Sequence, residues 1–142
     1  MGRFCTGAWG TPRAGVLRSV WSPRVYAEGM DFETVDPLSV PEGAVLFDIR
    51  EQDEWDAGHA PSARHLPASS LAAHLDELFV EDEEGRERDV YLVCRSGGRS
   101  SQVAQWLAMQ GIDAINVGGG MDAWLMQGLP VVTDAGEQGR VL

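Results

Sequence analysis

Val90-Tyr91-Leu92-Val93-Cys94-Arg95-Ser96-Gly97-Gly98-Arg99-Ser100 is an apolar, strand-like run that ends in a cysteine and passes at once into a glycine-bearing loop flanked by arginines. Val90 to Val93 read as a buried strand. Gly97 and Gly98 let the chain curl tightly, and beyond Arg99-Ser100-Ser101 the apolar positions Val103, Trp106 and Leu107 recur at helical spacing. The layout sets Cys94 at the mouth of a cup of backbone N–H groups, at the positive end of a helix, with the guanidinium groups of Arg95 and Arg99 close in sequence. Each of these influences lowers a thiol pKa. A purely structural cysteine does not account for two glycines and two arginines within the five residues that follow it.

Outward from this segment, strands and helices alternate. Phe32 to Val35 reads as a short strand, Ala44 to Phe47 as a core strand, and Glu51 to Ala57 as a helix with acids in its first turn. Ala63 to Leu66 reads as a further strand, and Leu71 to Phe79 as a helix with Leu71, Leu75, Leu78 and Phe79 on one face. Glu81 to Asp89 is a charged, solvated connector turned at Gly85. After the Cys94 loop and its helix come a strand over Ile112–Val117 and a last helix over Met121–Gln127. This order predicts an α/β fold, a small parallel sheet flanked by helices on both faces. Ligands of such sheets sit at the carboxyl ends of the strands, where Cys94 falls.

The spacing within the loop selects among cysteine chemistries. Cysteine-dependent phosphatases place five residues between Cys and Arg, a loop wide enough to wrap a phosphate. Only four, Arg95 to Gly98, separate Cys94 from Arg99, and the smaller cup suits a single extra sulfur atom on Cys94. The segment Cys94 to Ser100 resembles the six-residue active-site loop of the rhodanese (sulfurtransferase) family. The likeness extends to Leu46-Phe47-Asp48-Ile49-Arg50-Glu51 with Glu54-Trp55 and Gly58-His59-Ala60-Pro61-Ser62-Ala63, and to Asn116-Val117-Gly118-Gly119-Gly120-Met121-Asp122-Ala123-Trp124. Three motifs in the family's order over residues 32 to 132 make the signal specific. Ala60 and Ser62 depart from the bulky aliphatic residue and the glycine usual in that turn, which bears on turn geometry more than on chemistry.

The resemblance implies a two-step transfer. Cys94, as thiolate, takes the outer sulfur of thiosulfate or of a persulfide donor, and a thiophilic acceptor then removes it. Arg95, Ser96, Gly97, Gly98, Arg99 and Ser100 are the expected substrate-binding loop: its amides hold the charge of the terminal sulfur, and Arg95 and Arg99 attract an anionic donor. Ser96 and Ser100 read equally well as hydroxyl donors or as turn and helix-capping residues. The resemblance implies that Asp48, Arg50 and His59 support the site structurally, Asp48 and Arg50, read as a paired surface acid and base, in an ion-pair network bracing the active-site end with Glu54 as a candidate partner of Arg50, and His59 by ordering its turn. Trp106 and Trp124 read as core. Two other readings stay open: a non-catalytic interaction or redox-sensing module on the same fold, and, less favoured by the spacing, a phosphatase or arsenate reductase.

Composition narrows the partners. At 142 residues with 44% hydrophobic content the chain suits one domain, and no stretch nears the ~18 apolar residues of a membrane span. A net charge of −11 argues against nucleic acid and against anionic membranes. All 11 basic residues are arginine, which excludes a Gly-Lys phosphate loop and Schiff-base chemistry. Cys5 and Cys94 are the only cysteines, and His59, His65 and His74 fit no ligand spacing, so neither a disulfide framework nor a metal is expected. No cofactor is needed, the partners are a small anionic sulfur donor and a thiol or protein acceptor, and a reducing cytoplasm suits a recurring thiolate. Residues 1–29 carry four arginines against one glutamate, whereas residues 30–142 carry seven against 21 acids. The first stretch lacks periodicity and reads as a poorly ordered or mis-started extension, carrying Cys5, with Met30 opening the single domain.

Overall fold

The computed structural model describes residues 31–142. The readings of residues 1–29, of Cys5 and of Met30 as the start of the domain lie outside the described residues. Among the described residues five strands form one parallel sheet: β1 (Thr34–Val35), β2 (Val45–Asp48), β3 (Arg64–His65), β4 (Val90–Val93) and β5 (Ile115–Val117). Their spatial order is β1-β5-β4-β2-β3, so β4 lies at the centre. In register, Val45 to Asp48 of β2 pair with Val90 to Val93 of β4, and Tyr91 and Leu92 of β4 pair with Ile115 and Asn116 of β5.

Both faces of the sheet are covered, which is why β2 and β4 are apolar almost throughout and not alternating. On one face Val45, Phe47, Val90 and Leu92 pack with Leu71, Ala104 and Leu107. On the other, Leu46, Tyr91, Val93 and Val117 pack with Met121 and Trp124. The helices are α1 (Gln52–Ala57), α2 (Ala68–Leu71), α3 (Gly98–Met109) and α4 (Gly120–Met126), with a 3-10 turn at Pro37–Ser39 and a 3-10 segment over Ala72–Leu78. No helix among the described residues is long and apolar enough to cross a membrane.

Three details differ from the sequence reading. The expected helix over Leu71–Phe79 is α2 followed by the 3-10 segment, kinked at His74, whose φ of −132° leaves the helical region. Leu71 and Leu78 still reach the core, but Phe79 stands past the last turn in extended backbone and is exposed. The strand expected from Ile112 begins only at Ile115, because Gly111, at φ +83°, closes α3 and the Ile112 amide still bonds back to Leu107 at 2.8 Å. Trp106 is not core: it is exposed at the edge of an apolar groove whose opposite wall is Leu71 and Ala72. Trp124 is buried as expected and donates its indole N–H to the Pro130 carbonyl at 2.9 Å.

Candidate active site

Cys94 leaves the carboxyl end of β4 with its side chain buried. The loop after it turns back on itself: the Gly97 amide donates to Cys94 Sγ at 3.1 Å, and the Ser100 amide and hydroxyl each lie 3.3 Å from the same sulfur. Gly97 makes this possible. Its φ of +99° is the left-handed region, and a Cβ there would come within 3.0 Å of the Gly119 backbone nitrogen. Gly98 then opens α3, so that Ser100 falls in the first turn, where amides have no partner inside the helix. A second glycine turn supports the loop from outside. The amides of Met121 and Asp122, at the start of α4, donate to the carbonyls of Cys94 and Arg95 at 2.8 and 2.9 Å.

The electrostatics of the sulfur are set by two opposing influences. Burial pushes the Cys94 thiol up, while hydrogen bonds from the Ser100 hydroxyl and from the amides of Ser100, Gly97 and Ser96 pull it down by more. The net result is a thiol below its ordinary value and therefore richer in thiolate. The main lowering comes from the hydrogen-bond donors of the loop, one of the influences expected from the sequence, and the Arg99 guanidinium adds a Coulombic attraction to the sulfur. Arg99 makes a two-pronged pair with Glu54, Nη1 to Oε1 at 2.9 Å and Nη2 to Oε2 at 2.8 Å. Arg95 lies 3.5 Å from Asp122, with both side chains largely in solvent.

Glu54 is thus the partner of Arg99 and not of Arg50. The same carboxylate accepts the Glu51 amide at 3.1 Å and, with Glu51, closes a capping box at the start of α1. Asp48 and Arg50 do pair, but in the interior: both side chains are fully buried, with Arg50 Nη2 2.8 Å from Asp48 Oδ2. Arg50 also donates from Nε to Asp48 and from Nη2 to the Gly58 carbonyl at 2.6 Å, which ties the end of β2 to the turn before His59. His59 orders that turn as expected. Its Nδ1 meets the Trp55 carbonyl at 3.0 Å, its ring stacks on Trp55 at 3.5 Å, and its backbone bridges to Val132. His65 Nε2 meets the Arg50 carbonyl at 2.7 Å.

The fold therefore gathers Cys94, Gly97 and Ser100 around one sulfur, and sets Ser96, Arg95 and Arg99 on the exposed rim. Sequence reading missed Asn116, buried on β5 and accepting a hydrogen bond from the Ser100 hydroxyl. The available signal was a lone polar residue in Ala114-Ile115-Asn116-Val117, an otherwise apolar run. Among the described residues no group of His, Cys, Asp and Glu is arranged to hold a metal ion.

Comparison with known proteins places this arrangement. A family profile described as "Rhodanese-like domain" matches residues 33–127. A protein named "Sulfurtransferase" from Allochromatium vinosum is 36% identical over 100 residues, 70% of this chain and 88% of that protein. "Thiosulfate sulfurtransferase GlpE" from Actinobacillus pleuropneumoniae is 38% identical over 93 residues, 65% of this chain and 81% of that protein. Among solved structures, a rhodanese-related protein from Thermoplasma volcanium superposes with a TM-score of 0.62 at 23% identity, covering 72% of this chain and all of that one. SSP1007 from Staphylococcus saprophyticus superposes with a TM-score of 0.57 at 30% identity, over 69% of this chain and 98% of its own.

Proposed function

The chain belongs to the rhodanese-like domain family, and from that footing we propose that it is a sulfurtransferase working through a persulfide on Cys94. The observation that carries the proposal is the convergence of two amides and one hydroxyl on a buried Cys94 Sγ whose thiol is held below its ordinary value. The thiolate attacks the outer sulfur of thiosulfate, the S–S bond of the donor breaks, and sulfite leaves with the electron pair. Charge moves from Sγ to the new terminal sulfur. Cyanide or an acceptor thiolate then attacks that terminal sulfur, and the Cys94 thiolate returns with no net oxidation or reduction of the protein. Loop amides from Arg95 to Ser100 stabilise the terminal sulfur as an oxyanion hole does an oxygen. A thiosulfate or persulfide donor and a thiol acceptor are the partners this chemistry requires, and no step calls for a metal or organic cofactor.

The four-residue interval between Cys94 and Arg99 supports this reading over oxyanion hydrolysis, and the Arg99–Glu54 pair adds to it, since a guanidinium already held by a carboxylate is poorly placed to clamp a phosphate. Intact mass spectrometry of the full chain before and after thiosulfate is the test. The expected result is a gain of one sulfur on wild type, none at this site in Cys94→Ser, and its removal by cyanide with thiocyanate released. Failure to gain sulfur from either thiosulfate or an alkyl persulfide overturns the proposal and leaves the non-catalytic, redox-sensing module as the reading of the fold.

A further inference from the structure

Ser100 carries one hydroxyl proton and faces two acceptors. Its Oγ lies 3.3 Å from Cys94 Sγ, and the same oxygen donates to Asn116 Oδ1. The Gly97 carbonyl, at 3.4 Å, is a poorer third. Asn116 is buried on β5, in register with Leu92 of the central strand and Thr34 of the edge strand. Its amide orientation is set from the far side, because Nδ2 donates to Thr34 Oγ1 at 3.3 Å and so leaves Oδ1 toward Ser100. A chain of polar contacts thus runs from the edge strand through two buried side chains to the sulfur.

A buried hydroxyl loses free energy when its proton has no acceptor. Sulfur transfer creates that hazard, because the charge on Sγ comes and goes within each cycle. We propose that Asn116 is a positioning residue for sulfur transfer: it gives the Ser100 hydroxyl a second acceptor, so that the proton serves Sγ while Cys94 carries the charge and Asn116 once the charge has moved to the outer sulfur. Asn116 thereby favours the persulfide over the free thiolate, and does so without touching the substrate. The part of this inference that concerns the persulfide rests on the reading under Proposed function. The sharing of the proton does not.

The rate of alkylation of Cys94 by iodoacetamide, followed on the Cys94 peptide by mass spectrometry across pH, tests the sharing directly. Asn116→Leu removes the competing acceptor, so the midpoint falls by about half to one pH unit, the worth of one net hydrogen bond. Ser100→Ala raises the midpoint, and in that background Asn116→Leu moves it no further. The charged groups around the sulfur, Arg95 and Arg99 in the loop, Asp48 and Arg50 at the end of β2, Glu54 on α1 and Asp122 on α4, are the same in all four proteins, so the difference isolates the hydroxyl. An unchanged or raised midpoint in Asn116→Leu, or an equal shift in both backgrounds, overturns the proposal. If Asn116→Leu does not fold, Asn116→Asp replaces it. A carboxylate holds the hydroxyl harder, so the midpoint rises, and by more with Ser100 than with Ala at 100; equal rises mean charge alone and again overturn it. At a fixed thiosulfate to sulfite ratio and a pH above the alkylation midpoint, the ratio of sulfur-loaded to free Cys94 in Asn116→Leu falls by about 3- to 10-fold, the same half to one unit expressed as an equilibrium constant. Occupancy that stays put while the alkylation midpoint moves overturns the persulfide half only, and a wild type that takes up no sulfur fails the earlier reading, not the sharing.

Discussion

Two loops leave the sheet side by side, one after β2 and one after β4, and they solve the same problem in opposite ways. Asp48 and Val93 are register partners, so both loops begin at the same height. At the β2 end Asp48 and Arg50 turn inward while Glu51 stays exposed: Asp48 accepts the Arg50 amide at 3.0 Å and its guanidinium besides, and the Arg50 carbonyl meets His65. Asp48 and Arg50 are spent on one another and on the Gly58 carbonyl, save for Arg50 Nη1. The β4 loop turns its charged side chains outward, where Arg95 and Arg99 meet carboxylates at the rim, and aims amides inward at a sulfur. The contrast teaches how a fold keeps an open cup of donors in place. The cup cannot close on itself without losing its function, so its rigidity is supplied by a neighbour whose acid and base are paired in the interior.

The largest expected effect lies in that neighbour. Removing Asp48 leaves a fully buried guanidinium with the Gly58 carbonyl and little else, since Arg50 Nη1 already has no hydrogen-bond partner among the described residues. Breaking a buried pair from one side costs about 3–5 kcal/mol. Asp48→Ala is therefore expected to lower the unfolding free energy by that much, read as a fall in the urea midpoint at unchanged slope, although the hydrogen bonds of the Asp48 side chain go to Arg50 and not to the Cys94 loop. A loss below about 1 kcal/mol, the range of a solvent-exposed pair, would break the comparison, because the β2 loop would then not be the rigid partner.

Next in size are two adjacent glycines that separate strain from aim. Gly120, at φ +58°, has room for no side chain: a Cβ would stand 2.4 Å from the Cys94 carbonyl oxygen and 2.5 Å from that of Arg95. Gly119, at φ +75°, would meet Ala123 Cβ at 2.6 Å, on its own helix. Either change to alanine costs about 1–3 kcal/mol for the left-handed backbone. Only Gly120→Ala pushes on the Cys94 loop, so sulfur loading per folded molecule should fall in Gly120→Ala and hold in Gly119→Ala. Equal loading in the two variants, measured by intact mass at a temperature where both are folded, would show that the loop does not depend on its seat against α4.

How much of this was legible in the sequence follows from how local each feature is. The Cys94 loop was readable because its geometry is written in consecutive residues: an apolar run, a left-handed glycine, a helix start. The parallel sheet was readable from strands apolar on both faces alternating with helices. Partners distant in sequence were not. Glu54 and Arg99 are 45 positions apart, and only the adjacency of β2 and β4 brings α1 over the loop. The burial of Asp48 and Arg50 was misread as a surface pair because two charges past a strand end ordinarily face water, and nothing local announces that the turn at Gly58 will meet the guanidinium in the interior. Phe79 was assigned to a helix face because apolar spacing continues past the point where the backbone stops being helical.

The smallest effect belongs to the rim, and its sign can be worked out. The Arg99 guanidinium beside Glu54 holds the carboxyl below the usual carboxylate range, against the opposing push of partial burial. A carboxyl whose folded value is depressed contributes stability that is present above its unfolded value, near 4.3, and that fades as pH falls through the folded value. Arg99 is substantially exposed, so the pair is worth about 0.3–1 kcal/mol at most. Glu54→Gln keeps an oxygen for the Glu51 amide and removes only the charge. The stability difference between wild type and Glu54→Gln, taken from urea unfolding, should hence be level from about pH 6 to 8 and shrink toward zero below about pH 4. Added salt should shrink it as well, because exposed charges are screened within about 10 Å at 0.1 M. A difference that grew in acid would mean that Glu54 is braced by something other than Arg99, and the division between a closed, buried loop and an open one with screened pairs at its rim would have to be redrawn at that residue.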